Sequence, residues 1–131
     1  MANWSEINNS FTSRLNTLWA ETPIAFDNVD YTPVVNTEWI RATLIPAYSE
    51  NAQLAVSTMH YGIFWIQIFV PLSSGTGRAY EIATMLDAIF SNKQFNEVVC
   101  YAAETSRAGD DGNGWYRLDF RVNFWSNERN I

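Results

Sequence analysis

A chain of 131 residues, 47% of them hydrophobic, can bury a real core, and residues 1–131 read as one domain. Its net charge of −6, with Lys93 the sole lysine beside seven arginines, disfavours nucleic acid as an electrostatically held partner, because neutralising phosphates needs clustered cations. No apolar run of about 18 residues offers a membrane span, and Cys100 alone makes neither an internal disulfide nor a cysteine metal cluster.

In chain order, residues 3–20 predict a helix. Trp4, Ile7, Phe11, Leu15, Leu18 and Trp19 recur at spacings of three and four and form one stripe. Asn3 as N-cap, with Glu6 three residues on, has the pattern of a capping box. Thr22-Pro23 ends the helix, since a residue before proline disfavours the helical region. Ile24–Tyr31 reads as a short extended segment and Glu38–Pro46 as a strand; AYSENAQLAVS then reads as a polar loop of about ten residues. Met59–Pro71 is the most apolar strand. Gly62, Phe64, Ile66, Ile68 and Val70 mark one face, and Tyr61, Ile63, Trp65, Gln67 and Phe69 the other, which predicts cover on both sides. A second amphipathic helix is expected over Arg78–Phe90 with Thr76 as N-cap, then a strand in FNEVVCYAAE. RAGDDGNG reads as a turn, and WYRLDFRVNFW alternates as the last strand. The order predicts an α+β domain: a mainly antiparallel, mixed sheet of four to five strands with two amphipathic helices on one face.

The residues that could carry chemistry fall short of any recognised site. In SSGTGRA, Tyr80 stands where a dinucleotide fingerprint needs its third glycine, and Arg78-Ala79 stand where a P-loop needs lysine and a hydroxyl residue. The segment reads as a strand-to-helix turn. His60, the single histidine, has no motif partner and is expected to meet a hydroxyl or carbonyl. Asp110, Asp111 and Asn113 share the spacing of half a calcium loop but lack its closing glutamate, so a hairpin turn is the better account. Cys100 reads as a small buried hydrophobe. No catalytic, metal or cofactor site is expected, and the opening MANWSEINNSF lacks the features of a secretory signal, so cytoplasmic synthesis is the default.

What stands out is surface. Two helices can cover one face of a sheet, yet the Tyr61–Phe69 strand carries bulky groups on both. The second face predicts an interface, with Ile63, Trp65, Arg117, Asp119 and Arg121 as subunit-contact residues. The competing reading is that residues 47–57 or the N-terminal segment fold over it within one chain. Two other functions stay open: a ligand- or peptide-binding module with Trp39, Trp65 and Trp125 around a pocket, and an enzyme of unrecognised type.

HYGIFWIQIFVPLSSGTG, the helix AYEIATMLDAIF and DDGNGWYRLDFRVNFW, with the N-terminal helix and WIRATLIPA before them, resemble the tail terminator (tail-completion) proteins of long-tailed bacteriophages. The resemblance implies a structural virion protein with no cofactor, assembled in the host cytoplasm as a six-fold ring. Such a ring caps the head-proximal end of the tail tube, ends its polymerisation and offers a docking surface to the head-side connector or stopper. DNA would pass through its channel without specific binding, and an acidic lumen would let it slide. Loops carry partner recognition, so Tyr48, Glu50, Asn51 and Gln53 in one loop and Arg107, Asp110, Asp111 and Asn113 in the other are the expected contacts to tube or connector.

Overall fold

Two strands of fifteen residues set the geometry: β3 (Ser57–Pro71) and β7 (Trp115–Arg129) pair antiparallel over their whole length, from Ser57 opposite Arg129 to Pro71 opposite Trp115. β3 is rich in β-branched and aromatic residues, and β7 alternates apolar with polar ones, the patterns that suit a pleated sheet buried on at least one side. The computed structural model describes residues 3–52 and 56–129. Around the ribbon stand α1 (Trp4–Leu18), β1 (Ile24–Phe26), β2 (Trp39–Ala52), α2 (Gly77–Phe90), β4 (Gln94–Phe95), β5 (Val98–Cys100) and β6 (Glu104–Asp110).

The sheet runs β1-β2-β3-β7-β5-β4, with β6 also paired to β7 beside β5. Only β1–β2 is parallel. The α+β class and mixed sheet agree with the sequence, but the described residues form seven strands and not four to five. β6 supplies one extra strand, because residues 107–110 of the expected RAGDDGNG turn pair with β7, and FNEVVCYAAE supplies the other. Asn96 and Glu97 take φ of 47° and 68°, both left-handed, which lets a two-residue turn fold β4 back on β5. Without a glycine the turn is silent in the sequence. The expected loop at 47–57 is also corrected, because β2 and β3 continue through it as a hairpin arm whose tip, 53–55, lies outside the described residues.

Both helices lie on one face. α1 opens with the capping box: the Asn3 side chain accepts from the Glu6 N–H at 2.9 Å, and the Glu6 carboxylate accepts from the Asn3 N–H at 3.1 Å. α2 starts at Gly77, and Thr76 makes no side-chain cap bond. Its first turn is tied instead by Arg78, which donates to Glu38 at 3.0 Å and to Glu81. A backbone hydrogen bond, then Arg78, holds the Glu38 carboxyl below its ordinary range against partial burial.

Ile7, Phe11 and Leu15 of α1 and Ala79, Ile82, Leu86 and Phe90 of α2 are fully buried against Phe64, Ile66, Ile68, Leu118, Phe120 and Val122. Phe11 is the centre, with ring centroids 4.5 Å from Phe64 and 4.8 Å from Phe124. Leu18, placed in the stripe by spacing, is 52% exposed where α1 ends. Cys100 is buried, and burial pushes its thiol up to about 12. Gly62 has a steric reason: a Cβ there would stand 2.8 Å from the Ile45 carbonyl oxygen and 2.8 Å from the Phe124 ring.

Gly62→Ala is therefore expected to lower stability by about 1–3 kcal/mol, the cost of overpacking a filled site, read as a fall in the urea midpoint. Cys100 is expected to resist a thiol reagent such as Ellman's at pH 8 while the protein is folded and to react at once in denaturant; prompt labelling of folded protein would show the thiol to be accessible.

Candidate assembly interface

The face away from the helices is built by residues that oppose one another across the strands and so share a side. Arg41, Gln67 and Asp119 form one row, Thr43, Trp65 and Arg121 the next, and Ile45, Ile63 and Asn123 a third. Glu104 of β6 stands opposite Arg121. All five residues expected at a subunit contact, Ile63, Trp65, Arg117, Asp119 and Arg121, thus come together on this single face.

Cover is partial. At one end Trp39 stacks on Phe69 with centroids 4.1 Å apart, Tyr31 lies 5.1 Å from Trp39, and Trp115 meets Trp39 edge-on at 6.0 Å. The segment that covers this end is therefore the β1–β2 connection. Neither the N-terminal helix, which packs on the opposite face, nor residues 47–52, which belong to the sheet, does so. Beyond it Ile63 and Trp65 are half-buried, and Ile45 is exposed.

Further along, Tyr48 stacks on Tyr61 at 4.6 Å beside a hollow of about 340 Å³ lined also by Ile63, Tyr101 and Asn123. Tyr61 donates to Glu50 at 3.0 Å, and that bond holds its phenol above the ordinary range. Trp39, Trp65 and Trp125 do not converge. They sit four residues apart along the ribbon, about 13 Å per step, and line no common pocket.

Polar groups on this face are incompletely paired. Arg117 and Asp119 approach to 3.0 Å between Nε and Oδ1, but at an angle that makes an electrostatic contact and no directed hydrogen bond; their second approach is 3.4 Å. The indole N–H groups of Trp39 and Trp65 and the Tyr31 hydroxyl are buried with no partner among the described residues. A buried donor left unpaired costs about 1–3 kcal/mol, so these groups stand out on this face.

The expected contact loops are placed differently. Tyr48, Glu50 and Asn51 lie in β2, and Gln53 lies outside the described residues. Arg107 and Asp110 lie in β6, with the Arg107 guanidinium 5.8 Å from the Tyr116 ring. Asp111 and Asn113 do form the β6–β7 turn. Its carboxylates are occupied by the turn itself: Asp110 accepts from the Gly112 N–H, and Asp111 from those of Asn113 and Trp115.

The inner face holds an array that spacing could not reveal. Ser49 Oγ lies 2.6 Å from His60 Nδ1, and Glu128 Oε1 lies 2.8 Å from His60 Nε2. His60 meets a hydroxyl, as expected, but the serine is eleven residues away and faces it only because β2 pairs with β3. The residue types are those of a nucleophilic triad. The Trp4 ring, 5.0 Å from the imidazole, closes over it, and His60 is 6% exposed, which fits a structural clamp at the root of the arm.

The family profile described as phage tail terminator protein matches residues 6–124. The chain belongs to the phage tail terminator family. No curated protein matches the sequence. A solved structure of 21% identity superposes with a TM-score of 0.72 over 96% of each chain, a likeness that concerns the fold alone. A tail terminator is a structural protein of the phage tail, so the exposed face belongs to a virion component. Among the described residues no helix is long and apolar enough to cross a membrane.

His60→Ala in this terminator is expected to cost about 1–3 kcal/mol, because Glu128 and Ser49 lose their shared partner under Trp4. Amide exchange should quicken in Thr58–Gly62; unchanged protection there would remove the clamp role.

Proposed function

We propose that this chain closes into a six-fold ring that caps the head-proximal end of the phage tail tube, ends its polymerisation and presents the surface on which the head-side connector docks. The observation that carries this reading is the half-covered outer face, where Ile63, Trp65, Arg117, Asp119 and Arg121 lie together and the Trp65 indole N–H has no partner among the described residues. Such a face is apolar, arginine-bearing and partly desolvated, which is what the centre of an interface needs. A contact between two different patches, repeated by rotation, closes into a ring.

The hairpin arm and the β6–β7 turn extend from opposite ends of the ribbon, so in a ring they suit contact with tube and connector. The net charge of −6 per chain fits a channel through which DNA slides without specific binding. Assembly takes place in the host cytoplasm, and the finished ring is part of the virion.

Light scattering with negative-stain microscopy tests the reading. The purified protein is expected to form closed rings at six times the 15.0 kDa chain mass. Ile63→Asp, which places a charge at the centre of the face, is expected to leave a folded monomer that no longer halts tube growth. Wild-type protein that stays monomeric up to high concentration, alone and with tube ends, overturns the proposal.

A further inference from the structure

We infer that the turn after β1, centred on Asp27–Asp30, docks onto the Arg121 band of a second copy. This inference rests on the ring reading and names the two patches that meet.

The turn is an exposed acidic knob with an apolar tip. Asn28 takes a φ of 59°, which reverses the chain after β1 and pushes Val29 outward to 60% exposure. Asp27 and Asp30 flank it, both exposed and neither in an ion pair among the described residues. A valine held outward between two unpaired carboxylates gains nothing for the monomer. It fits a socket that is apolar with a cation at its rim.

The outer face supplies that socket. Ile45, Ile63 and Trp65 give a partly open apolar floor, and Arg121, opposite Trp65, is exposed with no ion pair among the described residues. Arg41 and Arg117 add positive charge beside it, against Asp119 and Glu104, in a chain whose net charge is −6. The face is thus locally cationic on an acidic molecule, and a second acidic copy meets it with complementary sign.

Knob and socket occupy different surfaces. Asp27 and Val29 line a cleft with Asn8, Thr12 and Asn16 of α1, on the helix side, and Arg121 lies on the opposite side of the sheet. One molecule cannot join them to each other, so the contact runs from copy to copy.

A charge swap tests the pairing. Arg121→Glu and Asp30→Arg are each expected to move the protein from ring to monomer at a concentration where the wild type is fully assembled, with far-UV and near-UV circular dichroism unchanged. Combining the two in one chain is expected to restore the ring. If either single variant still assembles fully, or the double variant stays monomeric, the pairing falls while the ring stands. A wild type that forms no ring removes the ring reading and this inference together.

Discussion

The molecule is governed by a mismatch of lengths. Fifteen strand residues make a ribbon about 50 Å long, whereas helices of fourteen and fifteen residues reach about 22 Å. Even laid along the strands, neither helix alone spans half of it. The inner face of β3 records where shelter ends: Val70, Ile68, Ile66, Phe64 and Gly62 are buried and apolar, and the next inward position is His60. Past the helices the same face must satisfy polar groups, and Ser49, Ser126 and Glu128 gather there. Trp4, from the first turn of α1, is the last piece of the lid.

Among the described residues no helix covers the outer face, yet it is not a polar face. Tryptophan, isoleucine and tyrosine alternate in position with arginine and aspartate, and at one end the β1–β2 connection has folded down to bury Trp39 and Phe69. A monomer with this surface must remain soluble long enough to meet its partners. The charged middle rows serve that need, because exposed ion pairs and arginines cost little in water and add little to stability. In the proposed ring the same arginines would repel an approach of the wrong sign.

Much of this was legible in the sequence because the two periods that matter are strong. The 3.6 repeat of Ile7, Phe11 and Leu15 and the alternation of Tyr116–Phe124 each report burial on one side, and the structure keeps both. That Ile63, Trp65, Arg117, Asp119 and Arg121 share the outer face was legible for the same reason: once the inner face is assigned, the remainder must point the other way. What was missed depends on information that spacing lacks. The Asn96-Glu97 turn needs two non-glycine residues in the left-handed region, a cost met by the pairing of β4 with β5. Residues 47–52 look like loop by composition, and are strand because β3 runs alongside from Ser57 to Tyr61 and offers them partners. Ser49 and Glu128 meet His60 through cross-strand register, which no one-dimensional pattern contains. Trp39, Trp65 and Trp125 looked like a pocket only while their separation along the ribbon was unknown.

The open sheet edge is built in a way that discourages assembly through strands. β1 pairs only Ile40, Arg41 and Ala42 of β2, so the rest of β2 presents an unpaired edge. An edge of that length invites strand addition, copy after copy without limit. Here the edge is interrupted: Pro46 removes a donor, and the register slips at Ala47, where a bulge gives β2 one residue more than β3. The bulge also decides which side chain faces which way. It returns Tyr48 to the outer face beside Tyr61 and sends Ser49 inward to His60, so one irregularity both blunts the edge and completes the clamp. In the ring proposed above, a contact of face to knob leaves this blunted edge unused, whereas an edge-to-edge sheet would add copies without limit.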